Sequence, residues 1–185
     1  LQKKIDLPLN HSDIVSLKAG DRVLLSGVVY TARDAAHKRM YEQEEMGMPL
    51  PIDLTNQVLY YVGPTPEKPG EVIGSAGPTT SSRMDAYTPK LIAKGLKGMI
   101  GKGYRSDEVK QAIMNHKAVY FGAVGGAAAL ISRSIKSSEV IAYPDLGTEA
   151  IRKLVIENFP VFVINDVYGG DIYIDGTTKY KRENE

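Results

Sequence analysis

The sequence predicts a single α/β domain with a partly parallel central sheet, and three observations carry that prediction. From residue 71 onward, short β-rich runs alternate with helical stretches in three successive strand–helix units, whose strands lie parallel under the right-handed crossover rule. An earlier β-branched run at 21–30 is likewise followed by a helix, and the chain returns to strand-like runs after residue 139. The 185 residues are enough for one sizeable core, and 43% hydrophobic with 24% charged residues is ordinary for a globular chain. Neither an internal repeat nor a linker marks a second domain, so residues 1–178 form one unit and 179–185 a charged tail.

Taken in order, residues 3–9 alternate loosely as an edge strand, and 11–20 are polar and turn-like. The strand at 21–30 leads into a helix from Thr31 to Glu45 or Met46, stopped by Gly47 with Pro49 beyond. A loop at 51–57, a strand at 58–63 and a Pro-rich turn at 64–70 follow. Residues 71–75 end a strand, and a helix runs from Asp85 to about Leu96. A short buried strand lies at 98–102. Ser106 caps a helix at 107–116, with Asp107 and Glu108 favourably placed in its first turn. A strand at 118–122 leads to Gly125-Gly126, which opens an Ala-rich helix to Ser134. Strands at 139–143, 151–158 and 160–165 precede a hairpin turn at 167–171 into a last strand at 172–174.

Composition removes several classes of function. A formal net charge of +1 gives no general attraction to nucleic acid or an acidic membrane surface. Apolar runs long enough to span a bilayer are missing, and the start, Leu1-Gln2-Lys3-Lys4-Ile5-Asp6, lacks the apolar region of a signal peptide. With no cysteine, the chain has no disulfides and no thiolate ligands, which points to the cytoplasm. His11, His37 and His116 are too scattered to form a metal site by spacing.

The stretch Gly77-Pro78-Thr79-Thr80-Ser81-Ser82-Arg83-Met84-Asp85 places four hydroxyl residues and an arginine at an expected helix start. Two readings compete there: an anion site built on unpaired N–H groups, or an N-cap with more hydroxyls than it needs. In open α/β sheets, ligands sit at the carboxyl ends of parallel strands. Those ends carry Arg33 and His37, then Thr79 to Arg83, then Lys102, then Gly125-Gly126, a set of cations and hydrogen-bond donors suited to a small di-anion. Each residue has a plainer alternative: Arg33 paired with Asp34, His37 as a surface histidine, Lys102 as a solvated loop lysine. No paired glycosidase-type carboxylates, no Gly-x-Ser-x-Gly elbow and no Walker loop are present.

These motifs resemble a known family. Arg33-Asp34-Ala35-Ala36-His37-Lys38-Arg39, the Gly77-to-Asp85 stretch, Lys102-Gly103-Tyr104-Arg105-Ser106, Gly122-Ala123-Val124-Gly125-Gly126 and Tyr143-Pro144-Asp145-Leu146-Gly147 are similar to the beta subunit of class I iron–sulfur fumarate hydratases and L(+)-tartrate dehydratases. In one-chain versions this is the C-terminal half. The resemblance covers nearly the whole chain and implies a three-layer β/β/α swivelling domain. It also implies a hydro-lyase using a [4Fe–4S] cluster with one iron open to substrate. Cysteine thiolates hold such clusters, so the cluster would belong to a partner alpha subunit in a hetero-oligomer, with a small dicarboxylate as substrate.

By resemblance, Arg33, Arg83, Lys102 and Thr80 bind substrate. Thr79 takes the C3 proton of malate as an alkoxide-like base favoured by the charges of Arg83 and Lys102. His37 matches a histidine proposed as catalytic in tartrate dehydratases; an orienting role is the alternative. Tyr104 stands where fumarases often carry Asn. Glu157-Asn158-Phe159-Pro160 and Tyr143-Pro144-Asp145-Leu146 look more like the fumarase branch, so fumarate hydration is the expectation, with L(+)-tartrate dehydration second. Outside the class stands a non-catalytic subunit for di-anion binding or assembly.

Overall fold

A computed structural model describes residues 2–123 and 128–181. In chain order the elements are β1 (Gln2–Asp6), α1 (His11–Ser16), β2 (Arg22–Thr31), α2 (Asp34–Glu45), β3 (Val58–Tyr60), a 3-10 turn (Ser81–Met84), α3 (Thr88–Ala93), β4 (Gly98–Gly101), α4 (Asp107–His116), β5 (Val119–Ala123), α5 (Ala128–Ser134), β6 (Ile135–Ala142), a second 3-10 segment (Pro144–Glu149), β7 (Ile151–Asn165) and α6 (Ile172–Lys181).

The strands hydrogen-bond in the order β1-β2-β3-β4-β5-β7-β6, and β2 also pairs with β7. That second contact closes β2, β3, β4, β5 and β7 into a ring. β1 through β5 run parallel to their neighbours, whereas β7 is antiparallel to β2, β5 and β6. Two cores result from the period-two alternation of the strands. Val58 and Tyr60 of β3, Ile100 of β4 and Val119 and Phe121 of β5 face an inner core with Val23, Leu25, Leu154 and Val161. Leu59, Met99, Tyr120 and the adjoining Tyr61 face the helices, packing on Ala36 and Met40 of α2, Leu91 of α3 and Val109 of α4. The layers are therefore sheet, sheet and helix, the expected β/β/α arrangement. Because β4 and β5 are buried on both faces, they are continuous apolar runs, which made them visible in the sequence.

Several elements differ from expectation, each for a local reason. Residues 11–20 contain α1, because Asn10 and Asp13 form a reciprocal capping box: Asn10 Oδ1 accepts from the Asp13 N–H at 2.9 Å and Asp13 Oδ2 accepts from the Asn10 N–H at 3.2 Å. The two strands expected around Pro160 are one continuous β7, in which a register shift opposite Leu25 and Gly27 places Asn158 at φ 50°. Proline is tolerated beside such a bulge. Residues 172–174 begin α6 rather than a strand, because Asp171 Oδ1 accepts from the Tyr173 N–H at 3.0 Å and Asp175 answers on the Asp171 N–H at 3.3 Å. No strand forms at 71–75, and the 85–96 helix is shortened to α3 behind the first 3-10 turn. Gly125-Gly126 and residues 182–185 lie outside the described residues. Among the described residues no helix is long and apolar enough to cross a membrane.

Candidate functional site

The parallel strands end on one rim of the ring, and the chain itself sets the order of groups along it. β2 delivers Arg33, the N-cap residue of α2, which makes no side-chain cap of its own. Glu149 replaces it, accepting from the Ala35 N–H at 3.2 Å across 114 residues of sequence. Glu149 also lies 3.3 Å from Arg33 Nε, so the 3-10 segment Pro144–Glu149 braces both the helix start and the arginine. Beyond β3, Gly63 leaves room for Arg33: a Cβ there would sit 2.8 Å from Arg33 Cδ.

Thr79 to Ser81 fill the gap between the ends of β3 and β4. The Thr79 N–H donates to Tyr61 O at 2.7 Å, the Lys102 N–H to Thr79 O at 3.3 Å, and the Ser81 N–H to Lys102 O at 2.8 Å, with Thr80 and Lys102 forming a parallel bridge. The segment thus extends the sheet. The expected helix start with unpaired N–H groups is not there, because the amides of Thr79 and Ser81 already have sheet-like partners. The four hydroxyls divide accordingly. Ser81 is buried, accepting from Tyr120 Oη at 2.8 Å and packing against Gly101, where a Cβ would collide with it. Thr79 is 8% exposed, and Thr80 and Ser82 face solvent. Among the described residues, the hydroxyls of Thr79 and Thr80 and the ammonium of Lys102 have no hydrogen-bond or ion-pair partner.

Asp34 joins the arginines. Its Oδ1 accepts from Arg83 Nε at 2.9 Å and its Oδ2 from Arg33 Nε at 3.3 Å. Partial burial alone would raise the Asp34 pKa. The bonds from its own N–H, from Arg83 and from Arg33 outweigh that and hold the carboxyl below its ordinary range. Arg33, Arg83, Thr79, Thr80 and Lys102 are therefore tied to one rim by named contacts.

His37 lies beneath that rim. It is fully buried, with Nδ1 2.9 Å from the Arg33 carbonyl, an edge-to-face contact with Tyr61 at 5.1 Å between centroids, and no partner on Nε2. Burial drives its pKa down to about 4; the bond to Arg33 O opposes this and the charge of Arg105 adds to it. The ring is neutral, so the carbonyl contact requires the proton on Nδ1 and leaves Nε2 as an acceptor.

Under Thr79 to Ser81 sits a network that sequence reasoning did not assign. Arg105, fully buried, donates from Nε to Asp85 Oδ1 at 2.7 Å and from Nη2 to Thr88 Oγ1 at 2.8 Å. Its guanidinium lies between the Tyr61 and Tyr120 rings, 5.3 and 4.8 Å from their centroids. Asp85 Oδ2 accepts from the Ser106 N–H at 2.7 Å, and Tyr120 Oη reaches both Ser81 Oγ and Gly103 O. Asp85 and Arg105 both fall within motif stretches, but only their burial separates them from the rim residues.

The sequence model of the family described as "Fumarase C-terminus" matches residues 1–176. The chain belongs to that family. This fumarase C-terminus chain is 41% identical over 154 residues to "Fumarate hydratase class I, aerobic" of Escherichia coli (strain K12), covering 82% of this chain and 28% of that protein. It is 40% identical over 156 residues to "Fumarate hydratase 2" of Leishmania major, covering 83% and 28%. Against "Putative L(+)-tartrate dehydratase subunit beta" of Methanocaldococcus jannaschii it is 36% identical over 184 residues, covering 96% of this chain and 94% of the other. The chain thus spans little more than a quarter of the two fumarate hydratases and nearly all of the third relative. A [4Fe–4S] cluster does not fit the donors of this fumarase C-terminus chain. It has no cysteine, and among the described residues no three His, Asp or Glu side chains are grouped to hold a metal ion.

Proposed function

We propose that this chain is the substrate-binding and proton-accepting part of an iron–sulfur hydro-lyase that interconverts fumarate and (S)-malate. The cluster is carried by a separate alpha subunit, so the chain is inactive alone. The observation that carries this reading is the rim itself: Thr79, 8% exposed and with no partner on its hydroxyl among the described residues, lies on a segment hydrogen-bonded to Lys102 through the backbone and leading to the paired Arg83 and Arg33, in a member of this family.

Arg33 and Arg83 bind the two carboxylates of the substrate through their terminal nitrogens, which make no hydrogen bonds among the described residues. Lys102 and Thr80, paired across the bridge, add a charge and a hydroxyl on the same side. Thr79 accepts the proton from C3 of malate. A threonine hydroxyl is a weak acid, and the cations around it favour its ionised form. His37, through Nδ1, holds the Arg33 turn, and its unpaired Nε2 is the remaining candidate for acid–base work. Removal of the C2 hydroxyl is the partner's share.

The test is anaerobic assembly with a cluster-bearing partner, followed by fumarate, malate and L(+)-tartrate assays. The isolated chain gives no turnover and the assembled one hydrates fumarate. Thr79→Val keeps the side-chain shape and removes the accepting oxygen, so kcat falls on the order of a hundredfold or more while KM changes little. If Thr79→Val keeps wild-type kcat, the base is Thr80 or His37. The near full-length match to the tartrate dehydratase relative favours one second reading, L(+)-tartrate as substrate, and the same assays decide between them.

A further inference from the structure

We propose that Asp34 is a positioning residue that fixes the spacing and aim of Arg33 and Arg83, and through them selects a substrate with two carboxylates. This rests on the reading of the rim as a dicarboxylate site. Asp34 stands at the first position of α2, yet it bonds an arginine 49 residues away as well as its own neighbour. Each carboxylate oxygen takes one guanidinium, and each guanidinium enters through Nε. Two like charges that would otherwise separate are thereby held on one carboxylate.

The same chain shows what an arginine–carboxylate pair looks like when its fork is closed. Arg39 engages Asp145 through both terminal nitrogens, at 2.8 and 2.7 Å, so its terminal edge is occupied. Arg33 and Arg83 have the opposite arrangement: Nε is engaged and the terminal edge is left over. A carboxylate at Asp34 thus holds both arginines without occupying the surface a substrate needs. The two are not equally braced. Arg33 has a second anchor in Glu149, whereas Arg83, 49% exposed on a single 3-10 turn, has among the described residues only Asp34. Loss of the Asp34 charge therefore frees Arg83 first.

Asp34→Asn keeps the side-chain shape and removes the charge. In the assembled enzyme KM for fumarate and malate rises on the order of tenfold, and kcat changes by less than about threefold. Preference for fumarate over the five-carbon diacid glutaconate and over acrylate, a monocarboxylate, falls by about the same factor as KM rises, and Asp34→Glu recovers part of it. A second measurement needs no turnover. In the isolated, nitrogen-15-labelled chain, the Nε–H signals of Arg33 and Arg83, assigned by Arg33→Lys and Arg83→Lys, lie downfield, and malate shifts both. In Asp34→Asn the Arg83 signal moves to the position of an exposed arginine and no longer responds to malate, while Arg33 still does. An unchanged or lowered KM with unchanged substrate preference overturns the proposal, and so does an Arg83 signal that ignores the substitution. If the assembled chain turns over no dicarboxylate while both arginines respond to malate as described, the hydro-lyase reading fails and this one stands.

Discussion

Arg105 and Arg83 belong to motifs of the same kind, yet the fold treats them in opposite ways. Arg105 forms the floor of the site: its side chain is fully buried, its donors meet Asp85, Thr88 and Tyr61, and two tyrosine rings enclose it. Arg83 is on the rim, 49% exposed, with one nitrogen on Asp34 and its terminal edge open. The floor obtains rigidity by satisfying every donor it can, since an unpaired charge in a dry interior is costly. The rim leaves donors unsatisfied, which is tolerable only where water can serve them until a ligand arrives. Binding groups stay accurate here because a fully bonded layer lies beneath them. Tyr120 connects the two, carrying the packing around Arg105 to Ser81 and so to Thr79.

That comparison breaks most visibly at Arg105. Arg105→Met removes one member of a buried pair and leaves Asp85 facing the helix layer without its cation. The expected loss is about 3–5 kcal/mol of stability, read as a lowered urea midpoint with unchanged slope. Replacing Asp85 with Leu in the same protein recovers part of the loss, because the orphaned charge is gone. Recovery is incomplete, since Asp85 also holds the Ser106 N–H. A single variant as stable as wild type would show that Arg105 is not the floor's anchor.

The sequence made the sheet more legible than the site. β4, β5 and the Ser106-capped α4 were readable because their signals are local: unbroken apolar runs and a hydroxyl ahead of two acids. α1 was hidden because its capping box uses Asn10 and Asp13 in a polar stretch, and α6 because Ile172-Tyr173-Ile174 alternates like a strand. Strand ends brought out Arg33 after β2 and Lys102 after β4, whereas Thr79, Thr80 and Arg83 were expected after a strand at 71–75 that does not form and lie instead beyond β3 and β4. What was not readable is non-local. The pairing of Thr80 with Lys102, the Asp34 bridge and the Glu149 brace each join residues more than twenty apart. Lys102 and Arg105 stand three residues apart in one motif, one solvated and one buried, and only packing separates them.

His37 lies between floor and rim and gives a smaller, pH-dependent effect. Its folded pKa is held at about 4 by burial, against an ordinary value of 6.5. The unfolded chain therefore binds a proton at this site between those values and the folded one does not. Stability is full above pH 6.5, declines as pH falls below it, and levels off near 4. Between pH 7 and pH 5 the expected loss is about 2 kcal/mol. The groups facing the ring are the Arg33 carbonyl, Asp34, Arg105, Tyr61 and Tyr87. Urea midpoints across that range measure the slope. His37→Asn, which keeps a donor where Nδ1 stands, abolishes it; a slope that survives the substitution belongs to other groups.

The smallest stability effect is expected where the ligand effect is large. Arg83→Lys keeps the charge and discards the planar fork. Its ion pair with Asp34 is partly exposed on both sides, at 49% and 34%, and such pairs contribute less than about 1 kcal/mol. The urea midpoint should therefore scarcely move, in contrast to Arg105→Met. In the assembled enzyme KM for malate should rise on the order of tenfold or more, because a carboxylate loses at least one charge-assisted hydrogen bond. Some kcat is lost as well, since a substrate held at one point is less well aligned for Thr79. The contrast is what matters: a rim arginine costs function without stability, and a floor arginine costs stability first. If Arg83→Lys destabilises the fold as much as Arg105→Met does, then Arg83 is part of the packed layer and the division between floor and rim is wrong.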